Sequence, residues 1–342
     1  MTCQTYLIYS PVNDQSLVIA ALLRKYFPNS HVIGVCLRSN TKPIGRKYYH
    51  KILTVDDIEP TQVTGVEIPT GAFATKYLLE RGNVSLGSVV LTQPMLQVFD
   101  KHWLVTQAKN AGLLIPETWQ TLKDVKTFPF FYKQLYEQGG GVRGIALRRE
   151  DVPKEEKGNL IFQELIKSSG TYGVSFLAAQ GKVLVTHSHF ERESIPKVGG
   201  SAVFIEQFED ARLFDHTTRL VRYINYSGWG LAEFKYCPCR KDYVFMEINA
   251  KFWASCEFSF VNEPLFLKLL FNINSIENAT KKVFFVPRAL LRGPIFFLSH
   301  LHRLFGDVKV CNYSRWLRAL FFCFIPYEIY RSLKKNLLDD RR

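Results

Sequence analysis

The sequence has no run of about 18 uncharged apolar residues, the length that a membrane-spanning helix needs. Its best candidate, residues 319–327, is too short and contains Pro326. No basic segment followed by an apolar stretch opens the chain, so we expect no secretory signal. The GK[ST] ending of the widespread phosphate-binding loop is missing, which argues against a nucleotide site of that type. We therefore expect a cytoplasmic protein.

Regularly spaced cysteine pairs are also lacking. The seven cysteines are odd in number and irregular in spacing, and only Cys237 and Cys239 stand close together, as a CxC. No second pair follows at the spacing of a zinc ribbon. This pattern is typical of reduced, structural thiols in a cytosolic protein.

Positive charge is abundant but unevenly placed. The 342 residues have a formal net charge of +13, and residues 281–342 hold 13 Lys and Arg against 4 Asp and Glu, a net of +9. This tail is also rich in aromatic residues and leucine, which indicates helices packed on the core or on a second subunit, or peripheral contact with a membrane surface. Because the charge is concentrated there, we expect no nucleic-acid partner.

The first hundred residues alternate apolar runs with segments of helical periodicity. Residues 5–9 and 31–37 are predicted strands, and residues 16–27 and 70–81 are predicted helices. Strands that alternate with helices predict an α/β unit with a parallel sheet.

The pattern changes at Asp100, a suitable N-cap for a helix that Gly112 ends. Gln180 and Gly181 predict a hairpin turn between two of the strands that follow. A long helix is predicted at 208–226. The predicted strands are 128–132, 160–166, 174–178, 182–190, 230–236 and 243–248.

A lysine and a glycine-rich turn predict contact with phosphate. Lys133 ends an apolar strand, and the sequence QGGGVRG follows at 138–144. A lysine can reach phosphate oxygens as a point charge, and glycines allow backbone N–H groups to approach them. Farther along, the strand end FQELI at 162–166 offers backbone groups that could read adenine or simply connect two lobes.

Oxygen ligands come from two strands near residues 233 and 247. Glu247 and Asn249 point to the same face of one strand, and Glu233 lies in the preceding strand. Mg²⁺ prefers such oxygen ligands and bridges substrate phosphates. A buried ion pair with Lys or Arg is the alternative, because carboxylates in apolar strands need a cation.

The segment HSHFERESIPKVGGS at 187–201 mixes histidine, basic residues and glycines. His187 and His189 share a strand face, which allows zinc, but no third ligand is suggested. We favour a basic segment that borders a triphosphate and an acidic substrate.

In this order, these motifs resemble the ATP-grasp superfamily, in particular the branch that contains biotin carboxylase and the large subunit of carbamoyl phosphate synthase. The resemblance is clear over about residues 100–260. It depends on DKHWLVTQAKNAGLLIPET, on Lys133 with GGGVRG, on FQELIKSSGTYGVSFL, and most of all on WGLAEFKYCPCRKDYVFMEINAKFWAS.

The resemblance implies an ATP-grasp fold and four segments. A Rossmann-like pre-ATP-grasp α/β domain would cover 1–99, and the small lobe with its glycine-rich lid would cover 100–165. The large lobe with the metal site would cover 166–280, and a helical basic tail would cover 281–342.

The resemblance also implies roles for individual residues, which fall into four groups. Lys101 and Lys133 would contact ATP phosphates beneath a lid of Gly139, Gly140 and Gly141, and Gln163, Leu165 and Ile166 would hold adenine. Glu233, Glu247 and Asn249 would coordinate Mg²⁺, with Mn²⁺ as an alternative, and Lys251, Arg192 and Lys197 would face the transferred phosphate or the carboxylate.

The implied reaction is phosphorylation of a small-molecule carboxylate to an acylphosphate, which an amine-type nucleophile then attacks. Two residues depart from the family pattern, but neither change removes a metal or phosphate contact, so we favour an active enzyme. Lys251 replaces the usual Arg and cannot form a bidentate fork, and Gly170-Thr171-Tyr172 replaces the usual ribose acid. These departures motivate the alternative of a catalytically idle ATP-binding module that acts through protein or membrane contacts.

Overall fold

The computed structural model describes most of the chain, and side chains at 155–157, 304 and 308–310 are not included. The described residues are 4–38, 41–57, 64–136, 141–274, 279–304, 308–310, 324–326 and 329. Among them, no helix has the length and apolar character needed to cross a bilayer.

The N-terminal unit is a parallel sheet of four strands with two helices. Its elements are β1 (Thr5–Tyr9), α1 (Asp14–Tyr26), β2 (His31–Cys36), β3 (Lys51–Thr54), β4 (Val66–Pro69) and α2 (Ala72–Arg81). The strand order is β3-β2-β1-β4. This arrangement confirms the predicted parallel α/β unit, although the short KILT segment of β3 was not predicted as a strand.

Local capping explains where α1 begins. Asn13 Oδ1 accepts a hydrogen bond from the Ser16 backbone N at 2.9 Å, and the Asn13 N–H donates to Ser16 Oγ at 3.3 Å. This reciprocal capping box satisfies N–H groups that a helix leaves open at its start. A hairpin of β5 (Val84–Leu86) and β6 (Val89–Leu91) follows the N-terminal unit.

The next unit is a small antiparallel sheet beside one helix. It contains α3 (Lys101–Asn110), β7 (Thr118–Trp119), β8 (Phe130–Gln134), β9 (Arg143–Ala146) and β10 (Leu160–Glu164), in the strand order β7-β10-β8-β9. Asp100 Oδ1 accepts hydrogen bonds from the backbone N of His102 and Trp103, which confirms the predicted N-cap. The strand predicted at 128–132 starts later and includes Lys133.

A large sheet of seven strands forms the remainder. Its elements are β11 (Thr171–Ala179), β12 (Lys182–Ile195), β13 (Ser201–Gln207), α4 (Ala211–Tyr223), β14 (Gly228–Cys237), β15 (Asp242–Asn249), α5 (Cys256–Asn262), α6 (Leu265–Phe271), β16 (Lys282–Phe284), α7 (Val286–Leu291), α8 (Pro294–Ser299) and β17 (Val308–Val310). The strand order is β15-β14-β11-β12-β13-β16-β17, and only the pair β16–β17 is parallel.

The predicted hairpin between β11 and β12 is confirmed. Gln180 and Gly181 both have positive φ, 48° and 73°, as a tight turn between twisted strands requires. The segment 187–201 differs from its prediction, because β12 continues to Ile195 and β13 begins at Ser201. Cross-strand pairing with β11 and β13 keeps this polar segment extended.

The first part of the basic tail packs on the large sheet. Strand β16 pairs with β13, and α7 is buried against a cluster that includes Val203, Phe204 and Phe284. Ile295 and Leu298 of α8 remain exposed. For residues 282–291 the structure therefore agrees with packing on the core; most of the tail beyond residue 310 lies outside the described residues.

Candidate active site

A cleft of about 1050 Å³ lies between the small sheet, the large sheet and the N-terminal unit. The small sheet lines it with Phe131 and Lys133, and the large sheet lines it with residues of β12, β14 and β15. Asn13 and Gly71, which lie just before helices α1 and α2, complete one wall. All three units of the fold therefore contribute to one cavity.

Two carboxylates lie side by side on the floor of this cleft. Glu233 of β14 and Glu247 of β15 are cross-strand partners. Asn249 Nδ2 lies 3.0 Å from Glu233 Oε1 and 3.4 Å from Glu247 Oε1. The structure thus brings together all three predicted metal ligands.

The charge of Glu247 adds to the cost of ionising Glu233. Burial, followed by the charges of Glu247 and Glu191, raises the pKa of Glu233 to about 8. Two like charges in a poorly solvated place favour protonation of one of them unless a cation intervenes. The floor therefore has the electrostatic character of a cation site.

Lys133 crosses the cleft from the small sheet to this floor. Its Nζ lies 2.9 Å from Glu247 Oε2 and 3.2 Å from the backbone oxygen of Met246. Only 7% of Lys133 is exposed, so the ion pair is largely shielded from water. The alternative weighed from the sequence, an ion pair with a lysine, is thus realised for Glu247.

Lys101 is the second predicted phosphate ligand, and it lines the same cleft. It is the first residue of α3, and its backbone N donates to Leu135 O at 3.1 Å. This bond joins the start of the helix to the end of β8. Of the predicted lid, Gly141 lines the cleft, whereas Gly139 and Gly140 lie outside the described residues.

The predicted adenine-binding segment divides into two parts. Leu165 and Ile166 line the cleft. The Gln163 side chain does not line it, because it is fully buried in the small lobe and donates from Nε2 to Thr118 Oγ1 at 3.2 Å. Alternation along β10 accounts for the position of Gln163, since the next side chain, Glu164, lines the cleft and successive side chains of a strand point to opposite faces.

The three predicted substrate-facing cations all line the cleft. Arg192 is exposed, and its Nη2 lies 2.7 Å from Glu206 Oε1, so this guanidinium is held by a neighbouring strand. Lys197 lies between β12 and β13. Lys251 follows β15, and its backbone N donates to Asn249 O at 2.8 Å.

Several residues of the cleft were not predicted from the sequence. Lys235 lies on the cleft floor two residues after Glu233, and burial lowers the pKa of its ammonium group. Glu191, Arg288 and Arg292 also line the cavity. The two-residue period of a strand is the signal that could have found Lys235; the arginines carried no local signal.

The two histidines of β12 are packed rather than presented to the cleft. His187 lies edge-on to Phe258, with ring centroids 5.1 Å apart, and His189 also contacts that ring. Burial, followed by the charge of His189, lowers the pKa of His187 to about 3. Over the described residues, no three His, Cys, Asp or Glu side chains are grouped to hold a metal ion. The proposed Mg²⁺ ligands contain only two such side chains, Glu233 and Glu247, because the third is the amide of Asn249.

A short polar chain fixes the loop after β15. Ser175 Oγ lies 2.8 Å from Ser259 Oγ, and Trp253 Nε1 donates to Ser259 Oγ at 3.2 Å. Trp253 follows Lys251 and Phe252 directly. The sheet and α5 together therefore hold the segment that contains Lys251.

No protein-family profile matches the sequence, and no well-characterised protein matches it by sequence. Similarity to solved structures is strong in shape. N5-carboxyaminoimidazole synthetase from Staphylococcus aureus complexed with ADP gives a TM-score of 0.60 at 13% identity, covering 81% of this chain and 79% of that one. Biotin carboxylase from Campylobacter jejuni gives 0.58 at 13% identity, covering 81% and 72%.

L-amino acid ligase from Bacillus licheniformis gives a TM-score of 0.57 at 14% identity, covering 77% of this chain and 71% of that chain. Against pyruvate carboxylase from Rhizobium etli, 77% of this chain matches but only 28% of that chain is spanned. The protein has the ATP-grasp fold.

Proposed function

We propose that the protein is an ATP-dependent ligase that phosphorylates a small-molecule carboxylate and joins it to an amine-type nucleophile. One observation carries the proposal: Lys133 pairs with Glu247, which lies beside Glu233 and Asn249, at the floor of a cleft between two sheets. The fold supports it, since similarly folded proteins include a ligase and a synthetase crystallised with ADP.

The donor set fits Mg²⁺. Glu233 and Glu247 are hard oxygen ligands on adjacent strands, and Asn249 would add its amide oxygen once the amide, whose Nδ2 now faces Glu233, turns over. Burial and then the neighbouring charges of Glu247 and Glu191 raise the pKa of Glu233, and a divalent ion bound there would favour the ionised carboxylate. When bound there, the ion would neutralise charge on the transferred phosphoryl group.

The lysines have a positioning role. Lys133 neutralises Glu247, and its ammonium can turn to phosphate oxygens when a metal occupies the carboxylates. Lys101 approaches from the start of α3, where the helix dipole also favours anions. Leu165 and Ile166 offer an apolar wall for a base at the opposite end.

The acidic substrate would bind at the basic end of the cleft. Lys251, Lys197, Arg192 and Arg292 all line the cleft and would form this basic end. Closing the lobes over the site protects an acylphosphate from water. We infer that residues of the Rossmann-like N-terminal domain, such as Asn13 and Gly71, shape the pocket that selects the acceptor.

We extend the proposal to the domain plan and to the surroundings of the chain. The boundaries 1–99, 100–165, 166–280 and 281–342 remain our proposed division, with β16 and β17 of the tail extending the large sheet. We propose a cytoplasmic protein whose basic tail makes membrane-surface or subunit contacts. The exposed Ile295 and Leu298 support contacts of this kind.

A second candidate is an idle ATP-binding module. Lys133 already pairs with Glu247, and Lys235 adds a further positive charge to the floor, so the lysines compete with a metal ion. Release of ADP that depends on an added carboxylate and amine would separate the ligase from this module.

The test is thermal unfolding with and without Mg·ATP for the wild type and Glu247→Gln. A ligand at a hundredfold excess over its Kd stabilises the folded state by about 2.7 kcal/mol. We expect this shift in the wild type and less than about 0.5 kcal/mol in the variant, whose affinity falls about a hundredfold. Equal shifts in both proteins would remove Glu247 from the site.

A further inference from the structure

The loop at the end of the hairpin β14–β15 contains two cysteines in contact. Cys237 Sγ and Cys239 Sγ lie 3.0 Å apart. Pro238 stands between them and restricts one backbone torsion, which limits how far the two sulfurs can separate. A disulfide bond is about 2.05 Å long, so bond formation needs an approach of about 1 Å.

The two thiols differ in access and in acidity. Cys239 is exposed, whereas Cys237 is buried. Burial raises the pKa of Cys237, but the hydrogen bond with Cys239 and the nearby Arg240 outweigh it and lower the pKa below its ordinary value. The same hydrogen bond raises the pKa of Cys239. Exposure rather than acidity therefore makes Cys239 the thiol that meets an oxidant, and the more acidic Cys237 is suited to resolve the mixed disulfide.

The loop is joined to the wall of the cleft in two ways. Cys237 packs in a buried cluster with Ile166, Val244 and Met246, of which Ile166 and Met246 line the cavity. Arg240 donates from Nη2 to Glu164 Oε2 at 2.6 Å and from Nη1 to Ile115 O at 3.2 Å. A shift of the sulfurs therefore reaches the strand end beside the proposed adenine wall.

We propose that Cys237 and Cys239 are a reversible thiol–disulfide site, and that oxidation of the pair by a small disulfide such as oxidised glutathione weakens nucleotide binding. The thiolate of Cys239 attacks one sulfur of the oxidant and releases one glutathione thiolate. The thiolate of Cys237 then attacks the Cys239 sulfur and releases the second. The protein loses two protons and two electrons, and the oxidant becomes two thiols.

The coupling to nucleotide affinity rests on the proposed function, but formation of the bond does not. Trypsin releases Tyr236–Arg240 as one peptide that contains both cysteines and no other. The full chain is equilibrated with mixtures of reduced and oxidised glutathione, quenched with an alkylating reagent, and digested. Oxidation then appears as a peptide without alkyl groups and about 2 Da lighter than the dithiol.

We expect this peptide to convert to the disulfide while the buried Cys36 and Cys256 remain thiols. Oxidised wild type should bind Mg·ATP about fivefold more weakly or worse, and dithiothreitol should restore the affinity. Cys239→Ser should bind Mg·ATP equally well after treatment with reduced or with oxidised glutathione. Cys3→Ser should lose affinity on oxidation as the wild type does.

A peptide that stays dithiol, or that carries only glutathione adducts, would overturn the site. A disulfide that leaves Mg·ATP affinity unchanged would overturn the coupling alone. If the reduced wild type does not bind Mg·ATP, the proposed function fails, and the peptide still decides whether the thiol site exists.

Discussion

The buried ion pair between Arg288 and Asp14 joins the tail to the N-terminal unit across 274 residues of sequence. Arg288 is 8% exposed, and its Nη2 lies 2.7 Å from Asp14 Oδ2. Its Nη1 donates to Ala202 O at 2.7 Å, and its guanidinium lies over the Phe285 ring at 4.1 Å. The substitution Arg288→Met keeps most of the stem and removes the charge.

The expected loss follows from what the substitution leaves behind. Asp14 would keep a largely buried charge without this arginine, and the Ala202 carbonyl would lose its donor. Removing one partner of a buried pair costs about 3–5 kcal/mol, because the remaining charge has little solvation. We expect a loss in that range in the free energy of unfolding at neutral pH.

The matched control is Arg212→Met. Arg212 also has a 2.7 Å ion pair, with Asp210, but 47% of its side chain is exposed. Surface pairs contribute about 0–1 kcal/mol, so this variant should stay close to the wild type. Urea unfolding of the three proteins decides the matter; a loss for Arg288→Met no larger than that for Arg212→Met would refute the reasoning.

Three further predictions concern His187, Glu233 and Lys133. Because burial holds the pKa of His187 near 3, the unfolded chain binds more protons below about pH 6.5, and stability should fall by about 2 kcal/mol by pH 5. His187→Phe should abolish that part of the loss, since neither ring nitrogen has a hydrogen-bond partner that the substitution would remove. If the urea midpoint falls with pH as much in the variant as in the wild type, this prediction is wrong. Because the pKa of Glu233 is raised to about 8, cation binding must displace a proton, so Mg²⁺ affinity should fall about tenfold per pH unit below 8, with proton release measurable by calorimetry in two buffers. Affinity that is constant from pH 6 to 8 would exclude Glu233 as a ligand. Lys133→Met removes the ammonium partner of Glu247 and should lower the free energy of unfolding by about 3 kcal/mol. Mg²⁺ alone should nevertheless raise the melting temperature of this variant more than that of the wild type, because lysine and metal compete for Glu247. A smaller Mg²⁺ effect in the variant than in the wild type would argue against that competition.

The predictions from local sequence succeeded where a few neighbouring residues decide the outcome. The Asp100 N-cap and the Gln180-Gly181 turn depend on hydrogen bonds and backbone torsions within four residues. The grouping of Glu233, Glu247 and Asn249 depends only on strand alternation and on one hairpin. In each case the partners are close in sequence, so the pattern contains enough information.

Contacts between segments that are distant in the sequence could not be predicted from local patterns. Lys133 meets Glu247 across 114 residues because β8 of the small sheet faces the large sheet. The burial of Gln163 away from the cleft and the extension of β12 through Ile195 also depend on neighbouring strands. Pairing between strands supplies a register that no local propensity contains.

The sequence by itself determined the alternating α/β pattern of the N-terminal unit, the polar residues of the hairpin β14–β15 and the basic character of the tail, because periodicity, capping and charge are local properties. Only the tertiary structure decided that three units enclose one cleft, that Lys133 neutralises Glu247, and that Arg288 anchors the tail to Asp14. These contacts are set by how the sheets and helices pack, and packing depends on the whole chain at once.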